Sequence, residues 1–342
     1  MDESPISGVA RNEEQQFEDQ LRPPSLSDFT GQNQIIENLS ICISAAKKRD
    51  EVLDHVLFCG PPGLGKTTLA RIIAHEMGAK LFSANGPALS KPADLASILT
   101  QLEEGDVFFL DEIHRISPTL EEYLYSAMED YVIDIVLDQG GVTNRTVRLE
   151  LPKFTLIGAT TKEGAMQAPF RDRFGIIERL KYYDDDELVK IIQRSTKILK
   201  LQIQKDASLK LASRSRGTPR VANRFLRRVR DLATIQDTEL MDQKMVEKTL
   251  KMLDIDEFGL QYIDREILKV LYLNHGKAVG LNTLAVSVGE DRGTIEDVYE
   301  PYLIQKNLIQ KTASGRVLTE MGYRKMIETE PGREAEDAWL KK

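Results

Sequence analysis

Three patterns of apolar and polar positions succeed one another along the chain. From about 35 to 183, short unbroken apolar runs alternate with stretches of helical period. The runs 55–59 (HVLFC), 80–84 (KLFSA), 106–110 (DVFFL) and 154–159 (FTLIGA) predict strands, since continuous apolar runs suit strands covered on both faces. Helices fit between them: 67–77 opens after glycines and ends at Gly78, and 118–130 starts at Pro118. Strands alternating with helices predict an α/β fold with a doubly wound parallel sheet. At 132–151 (VIDIVLDQGGVTNRTVRLEL) two alternating β-prone runs flank Gly140-Gly141, which predicts a β-hairpin insert.

At 184 the pattern changes. DDDELVKIIQRSTKILK opens with an acidic turn, as the helix dipole favours, and helical period without a strand signal continues to about 253. DIDEFGL (254–260) reads as a linker. The third pattern has helices at 262–274, 281–287 and 294–306, then LIQKT and RVLT around ASG. Three helices and a two-stranded wing describe a winged-helix domain. The expected layout is a flexible polar arm (1–20), a large α/β domain (21–183), a small helical domain (184–254), a winged helix (255–326) and a disordered polar tail (327–342).

Composition narrows the class. A length of 342 residues fits two or three domains. Hydrophobic and charged fractions of 41% and 29% are those of a soluble globular protein. No apolar run approaches the roughly 20 residues that span a membrane. The first twenty residues lack the apolar core of a secretory signal, so a cytoplasmic location is expected. Cys42 and Cys59 sit in apolar settings without metal-ligand spacing and read as reduced core residues. The net charge of −8 argues against non-specific coating of nucleic acid but leaves room for a local basic site. The densest basic stretch is 214–230, RSRGTPRVANRFLRRVR, with seven arginines and no acid.

Candidate chemistry lies at the strand ends. GPPGLGKTT (60–68) matches G-x-x-x-x-G-K-[ST] after an apolar strand and before a helix. Gly63 and Gly65 let backbone N–H groups close around phosphate oxygens, Lys66 would reach the β and γ phosphates of ATP, and Thr67 would ligate Mg²⁺. DVFFLDEIH places Asp111 and Glu112 at a strand's C-terminal edge, where open α/β sheets bind ligands. Asp111 would hold Mg²⁺ through its water shell, and Glu112 would orient and deprotonate the attacking water. His114 reads as structural. Either Thr160 or Thr161 of GATT would meet the water or γ-phosphate, or simply end the strand. Arg173 in FRDRFG is a surface salt-bridge residue, or else a finger offered to a neighbouring subunit, which would demand a ring.

These motifs, with AMEDY, RDRFGI, RGTPRVANRFLRRVRDLA and EPYLIQ in the same order, resemble the RuvB family of AAA+ ATPases. Its members are the bacterial motors that drive branch migration of Holliday junctions in recombination and repair. The similarity runs from about Leu21 to Tyr323. It implies a large ATPase domain, a helical lid and a C-terminal winged helix. It also implies a hexameric ring around duplex DNA, recruited to the junction by RuvA, with RuvC in the wider complex. Carried over by motif, it implies nucleotide contacts from Leu21, Arg22, Gly63, Lys66, Thr67, Thr68, Glu129, Asp130, Tyr131 and Tyr183. Arg173 matches the arginine finger and Arg220 the second sensor. The 132–151 hairpin matches the element that meets RuvA. Its Ile133, Ile135 and Leu137 would present an apolar edge to that partner or cover their own core. The family typically has arginine where this chain has Lys311, while Arg316 is retained; lysine neutralises a phosphate but lacks the bidentate fork.

Asp291, Glu296, Asp297 and Glu300 make the would-be recognition helix acidic, so phosphates would repel it. DNA contact is therefore expected through Lys311 and Arg316 of the wing, with Arg292, touching backbone and not base sequence. That argues against a replication initiator, which would read sequence. A clamp-loader subunit lacks support because its Ser-Arg-Cys finger is absent. A nucleotide-sensing regulator without turnover would not need Glu112 and Arg173. In the arginine-rich stretch, Thr218 suits an N-cap and Pro219 the first helical position, which puts Arg220 in the first turn. Val221, Phe225, Val229 and Leu232 share one face. Arg224, Arg227 and Arg228 lie largely off it, on a solvated or salt-bridged side.

Overall fold

The computed structural model describes residues 16–137 and 145–329, which form two compact units, 1–191 and 192–342. The first is built on a five-stranded sheet: β1 (Val56–Cys59), β2 (Leu81–Asn85), β3 (Val107–Asp111), β6 (Thr155–Thr160) and β7 (Ile176–Arg179). Spatial order is β2-β3-β6-β1-β7, and every pairing is parallel. The all-apolar runs supply the three central strands. Every residue of β1 and β6 is buried, as are the first four of β3. The edge strand β2 is half exposed. The other edge, β7, carries Glu178 and Arg179 and gave no apolar run to find.

Helices α1 (Asn33–Arg49), α2 (Lys66–Met77), α3 (Pro92–Leu99) and α4 (Pro118–Glu129) belong to this unit. On α1, Ile35, Leu39, Ile43 and Ala46 are buried at i, i+4, i+8 and i+11, one amphipathic stripe. Ser117 caps α4 by accepting the Leu120 N–H at 3.3 Å, and Pro118 takes the first helical position. His55 ties sheet to helix. Its Nδ1 accepts the Leu156 N–H at 2.9 Å, and its Nε2 donates to the Met128 carbonyl at 3.1 Å. Both bonds suit one neutral tautomer, and burial lowers the imidazole pKa. Strands β4 (Val132–Leu137) and β5 (Arg145–Glu150) pair antiparallel as the expected hairpin. Gly140 and Gly141 lie outside the described residues. Within the stretch expected as an arm, residues 16–20 are helical and Phe17 is buried; the helix ends at the buried Leu21.

Helix α5 (Asp185–Ile198) spans the division at 191, and the second unit continues with α6 (Lys205–Arg214), α7 (Pro219–Ile235) and α8 (Gln243–Met252). Two short strands, β8 (Gln202–Ile203) and β9 (Leu240–Met241), pair in parallel here, within a stretch whose pattern predicts helix alone. Two residues each are too short for a period. The winged helix follows: α9 (Tyr262–Leu273), α10 (Leu281–Val288), α11 (Glu300–Gln305), β10 (Ile309–Thr312), β11 (Gly315–Leu318) and α12 (Glu320–Thr329). The single helix expected over 294–306 is interrupted by a π turn at Ile295–Tyr299. Pro301 has no N–H to give a preceding carbonyl, so the ladder slips just before it. Helix α12 seats Tyr323 and Met326 in the domain core and runs on to Thr329, three residues past the expected end of the domain.

Candidate active site

The phosphate loop joins β1 to α2. Gly63 and Gly65 have φ of 79° and 107°, which a side chain would resist. The Gly60 N–H donates to the Thr160 carbonyl at 3.1 Å, fixing the loop to the end of β6. Lys66 is buried, and its Nζ donates to the carbonyls of Gly60 and Pro61 at 2.7 and 2.8 Å. The ammonium is thus held over its own loop, with Thr67 and Thr68 behind it in the first turn of α2.

The sheet register sets the acidic edge beside that loop. Asn85 pairs with Asp111, and Cys59 pairs with Thr160, so the strand ends share one rim. Asp111 Oδ1 accepts the Glu112 N–H at 3.0 Å. Glu112 has φ 50°, a left-handed conformation that costs a non-glycine residue about 1–3 kcal/mol. Its carboxylate bonds Arg115 Nη1 at 2.8 Å. Packing supports the turn: a Cβ on Gly86 would sit 2.5 Å from the Glu112 carbonyl oxygen.

Of the two threonines, Thr160 is the buried one. Its Oγ1 accepts the Lys162 N–H at 3.0 Å and lies 3.1 Å from His114 Nδ1. The hydroxyl and the imidazole share one hydrogen bond, which holds Thr160 at the rim. His114 carries no motif of its own, and its contact with Thr160 exists only once the turn after Glu112 is folded. Cys59, at the same rim, has its thiol pushed up to about 12 by burial and then by Glu163, so it stays protonated at neutral pH. Glu163 itself is held low chiefly by Arg179, at 2.8 Å.

One wall of the loop is aromatic. Tyr183 Oη donates to the Leu64 carbonyl at 3.0 Å, and burial raises its pKa. A Cβ on Gly65 would stand 3.1 Å from Phe29, and one on Gly31 2.7 Å from the Tyr183 ring. Leu21 is buried, and Arg22 Nε bonds Asp19 at 3.0 Å. Phe29 and Gly31 escaped the sequence reading, because DFTG carries no motif of its own.

Arg173 stands elsewhere in the unit. Its Nη2 donates to Glu129 at 3.1 Å, its Nη1 to the Pro169 carbonyl at 2.6 Å, and its guanidinium lies 4.4 Å above the Tyr125 ring. Arg173 and the glutamate of AMEDY therefore form one cluster. Asp130 ends α4, while Tyr131 (φ 53°) meets Phe154 edge-on and takes the Leu151 N–H on its carbonyl. Ile133 is fully buried in the unit's own core, which removes it from the apolar edge expected on the hairpin. The side chains of Ile135 and Leu137 lie outside the described residues.

In the second unit, Arg220 is the second residue of α7. Thr218 does not act as the expected cap: its hydroxyl donates to the Ser215 carbonyl at 3.2 Å. The face of α7 follows the reading, with Phe225, Val229 and Leu232 buried and Val221 half-buried. Arg224 and Arg228 are exposed, and Arg228 pairs with Asp231 at 2.9 Å.

In the wing, Arg316 is nine-tenths buried and holds Glu300 through Nε and, at 3.1 Å, through Nη2. Glu300 is itself buried. Lys311, paired with Arg316 across β10 and β11, bonds Glu296 at 2.7 Å and reaches Glu300 at 3.4 Å. The acid of the helix and the base of the wing neutralise each other. Arg292 is exposed, beside Asp291, which caps the turn by accepting from Gly293 and Thr294.

Comparison with known proteins agrees with this layout along most of the chain. Residues 21–180 match the Holliday junction DNA helicase RuvB P-loop domain, 183–256 the RuvB AAA lid domain, and 257–327 the RuvB C-terminal winged helix domain. A solved structure of the Thermotoga maritima RuvB Holliday junction branch migration motor is 45% identical, with a TM-score of 0.82, over 90% of this chain and 98% of that one. A point mutant of the same protein gives 46% identity and a TM-score of 0.83 over 89% and 98%. With three family domains matched in order, this chain belongs to the RuvB family.

Proposed function

We propose that this chain is an ATP-driven motor that promotes branch migration of Holliday junctions, hydrolysing ATP to ADP and phosphate. The observation that carries the reading is the shared rim of one parallel sheet. There the phosphate loop, Asp111-Glu112 and Thr160 converge, in a chain that continues into a RuvB-type lid and winged helix. Phosphoryl transfer asks the protein for positioning and charge stabilisation more than for covalent chemistry, and this rim supplies both. Lys66 and the loop amides, with Thr68, take the phosphates; Glu112 orients the water; Thr160, held by His114, contacts the water or γ-phosphate. Leu21, Arg22 and Tyr183 line the base and ribose side, with Phe29.

The Thr67 hydroxyl and the Asp111 carboxylate are hard oxygen donors at one edge, a set that suits Mg²⁺. Mg²⁺ would neutralise charge between the β and γ phosphates. The Glu129–Arg173 cluster, with Asp130 and Tyr131, serves the nucleotide of a neighbouring subunit in a hexameric ring. Arg220 senses the γ-phosphate from the lid. The 132–151 hairpin docks RuvA, with RuvC in the wider assembly, in the cytoplasm. DNA is held by its backbone, with Lys311 and Arg292 as contacts and Arg316 supporting the wing. No helix among the described residues is long and apolar enough to cross a membrane.

The test is movement of a synthetic four-way junction by the purified chain with ATP and Mg²⁺, with and without RuvA. Movement that needs both ATP and the intact 132–151 hairpin supports the reading. ATP turnover with no movement under any of these conditions contradicts it.

A further inference from the structure

Arg216 is the second arginine of the arginine-rich stretch, and neither the ATP site nor the DNA reading uses it. It is buried although charged, and its backbone is left-handed (φ 56°), followed by Gly217 at φ 67°. That double turn aims its side chain out of the lid. Nε donates to the Gly259 carbonyl at 2.9 Å, Nη2 pairs with Asp264, and the guanidinium lies 4.8 Å over the Tyr302 ring. All three partners belong to the winged-helix head.

The receiving surface is built to fit. Asp264 is fully buried and also caps α9, accepting the Gln261 N–H at 2.7 Å. The Tyr302 hydroxyl donates to the Phe258 carbonyl and so pins the linker. A Cβ on Gly259 would stand 2.8 Å from the Arg214 carbonyl oxygen and 3.1 Å from the Tyr302 hydroxyl, so the linker can approach this closely only with glycine there. Beside it, Arg265 donates to the Asp254 carbonyl at 3.0 Å, and Lys325 bonds Glu257 at 3.1 Å.

The path from Arg216 to Arg220 is short and stiff. The Thr218 N–H and hydroxyl both donate to the Ser215 carbonyl, at 3.0 and 3.2 Å, the Ser215 hydroxyl donates to Leu211, and Pro219 fixes the helix start. A displacement of Arg220 would thus be passed along this segment to Arg216 and to the groups Arg216 grips.

We propose that Arg216 is a positioning residue that locks the winged-helix head to the lid through Asp264, Gly259 and Tyr302, so that lid movement driven by nucleotide is delivered to DNA. The lock rests on the motor reading for its purpose but not for its existence, and two measurements separate these.

The first is a distance distribution between nitroxides at Ile235 (lid) and Val286 (head), exposed positions at 79% and 85%, in a Cys42→Ser background. The wild type should give one narrow distribution, and Arg216→Gln a broad one. An equally narrow distribution in Arg216→Gln overturns the lock. The second compares ATP hydrolysis and junction movement. Arg216→Gln should hydrolyse ATP within twofold of wild type while moving junctions at least tenfold more slowly, with Arg216→Lys in between. Rates that fall together, or movement that is unchanged, overturn the coupling role. A wild type that moves no junction counts against the motor reading instead. If Arg216→Gln does not fold, Asp264→Asn keeps an acceptor for Gln261, removes the charge pair, and must show the same split at smaller amplitude.

Discussion

The nucleotide rim and the wing teach opposite lessons about reading charge from sequence. At the rim, each charged or polar residue is fixed by a backbone feature with its own signature: a glycine turn, a strand end, a helix start. Lys66, Asp111 and Thr160 could therefore be placed independently, and the sheet register brings them together. In the wing, no such feature fixes the side chains. Lys311 and Arg316 read as phosphate contacts, and Glu296 and Glu300 read as repelling phosphates. The fold lays these opposite charges on one another. Partial burial makes a near charge pair outweigh a distant polyanion, because screening is weakest inside and strongest across solvent.

The widest gap between the two regions should appear on removing Arg173. If it serves a neighbour's nucleotide, Arg173→Ala should lower ATP turnover by about 10³ to 10⁵-fold. Mixing it with a Lys66→Ala chain should restore part of the turnover, which steady-state hydrolysis would read. No restoration would place Arg173 in its own subunit's chemistry or outside it.

Arg316→Ala should act on stability. It leaves the buried Glu300 with only Lys311, at 3.4 Å, so the cost should fall below the roughly 3–5 kcal/mol of a fully unpaired buried charge, and thermal melting would record it. Glu300→Ala should cost a similar amount and the double variant less than the sum. A melting temperature unchanged by Arg316→Ala, with DNA affinity lost, would return Arg316 to the DNA interface.

His55 sharpens the comparison by pH. Its folded pKa is depressed, so the unfolded chain takes up the proton more readily. Its stabilising contribution is complete above the unfolded value of about 6.5 and is lost as pH falls from there toward the folded value. Each unit of depression is worth about 1.4 kcal/mol. Melting between pH 7.5 and 5 should weaken the ATPase unit, and His55→Gln should flatten the dependence.

The smallest effect is expected from Lys311→Ala. Its ion pair with Glu296 is half exposed and worth less than about 1 kcal/mol to stability. As a single phosphate contact it should reduce the salt slope of DNA binding by about 1, equally across sequences.

Most of the α/β core was legible because burial on both faces leaves an unbroken apolar run, as in β1 and β6. The edge strand β7 and the two-residue pair β8 and β9 lacked that signal. The phosphate loop was legible by spacing. His114 and Phe29 were not, since each acts through a contact made only once the turns are folded. The arginine-rich stretch resolved least well by composition: its members divide among a buried brace at Arg216, the helix start at Arg220 and a solvated face at Arg224 and Arg228. Charge density marked the segment but could not tell these uses apart.

The central claim is that hydrolysis at the sheet rim powers movement of DNA. Its most direct test is Glu112→Gln, compared with wild type for ATP binding and for movement of a synthetic four-way junction. Binding should stay within twofold, because the loop and Lys66 are untouched, while movement should fall by about 10² to 10⁴-fold with loss of the base. A Glu112→Gln chain that binds ATP and still moves the junction at the wild-type rate would contradict the account.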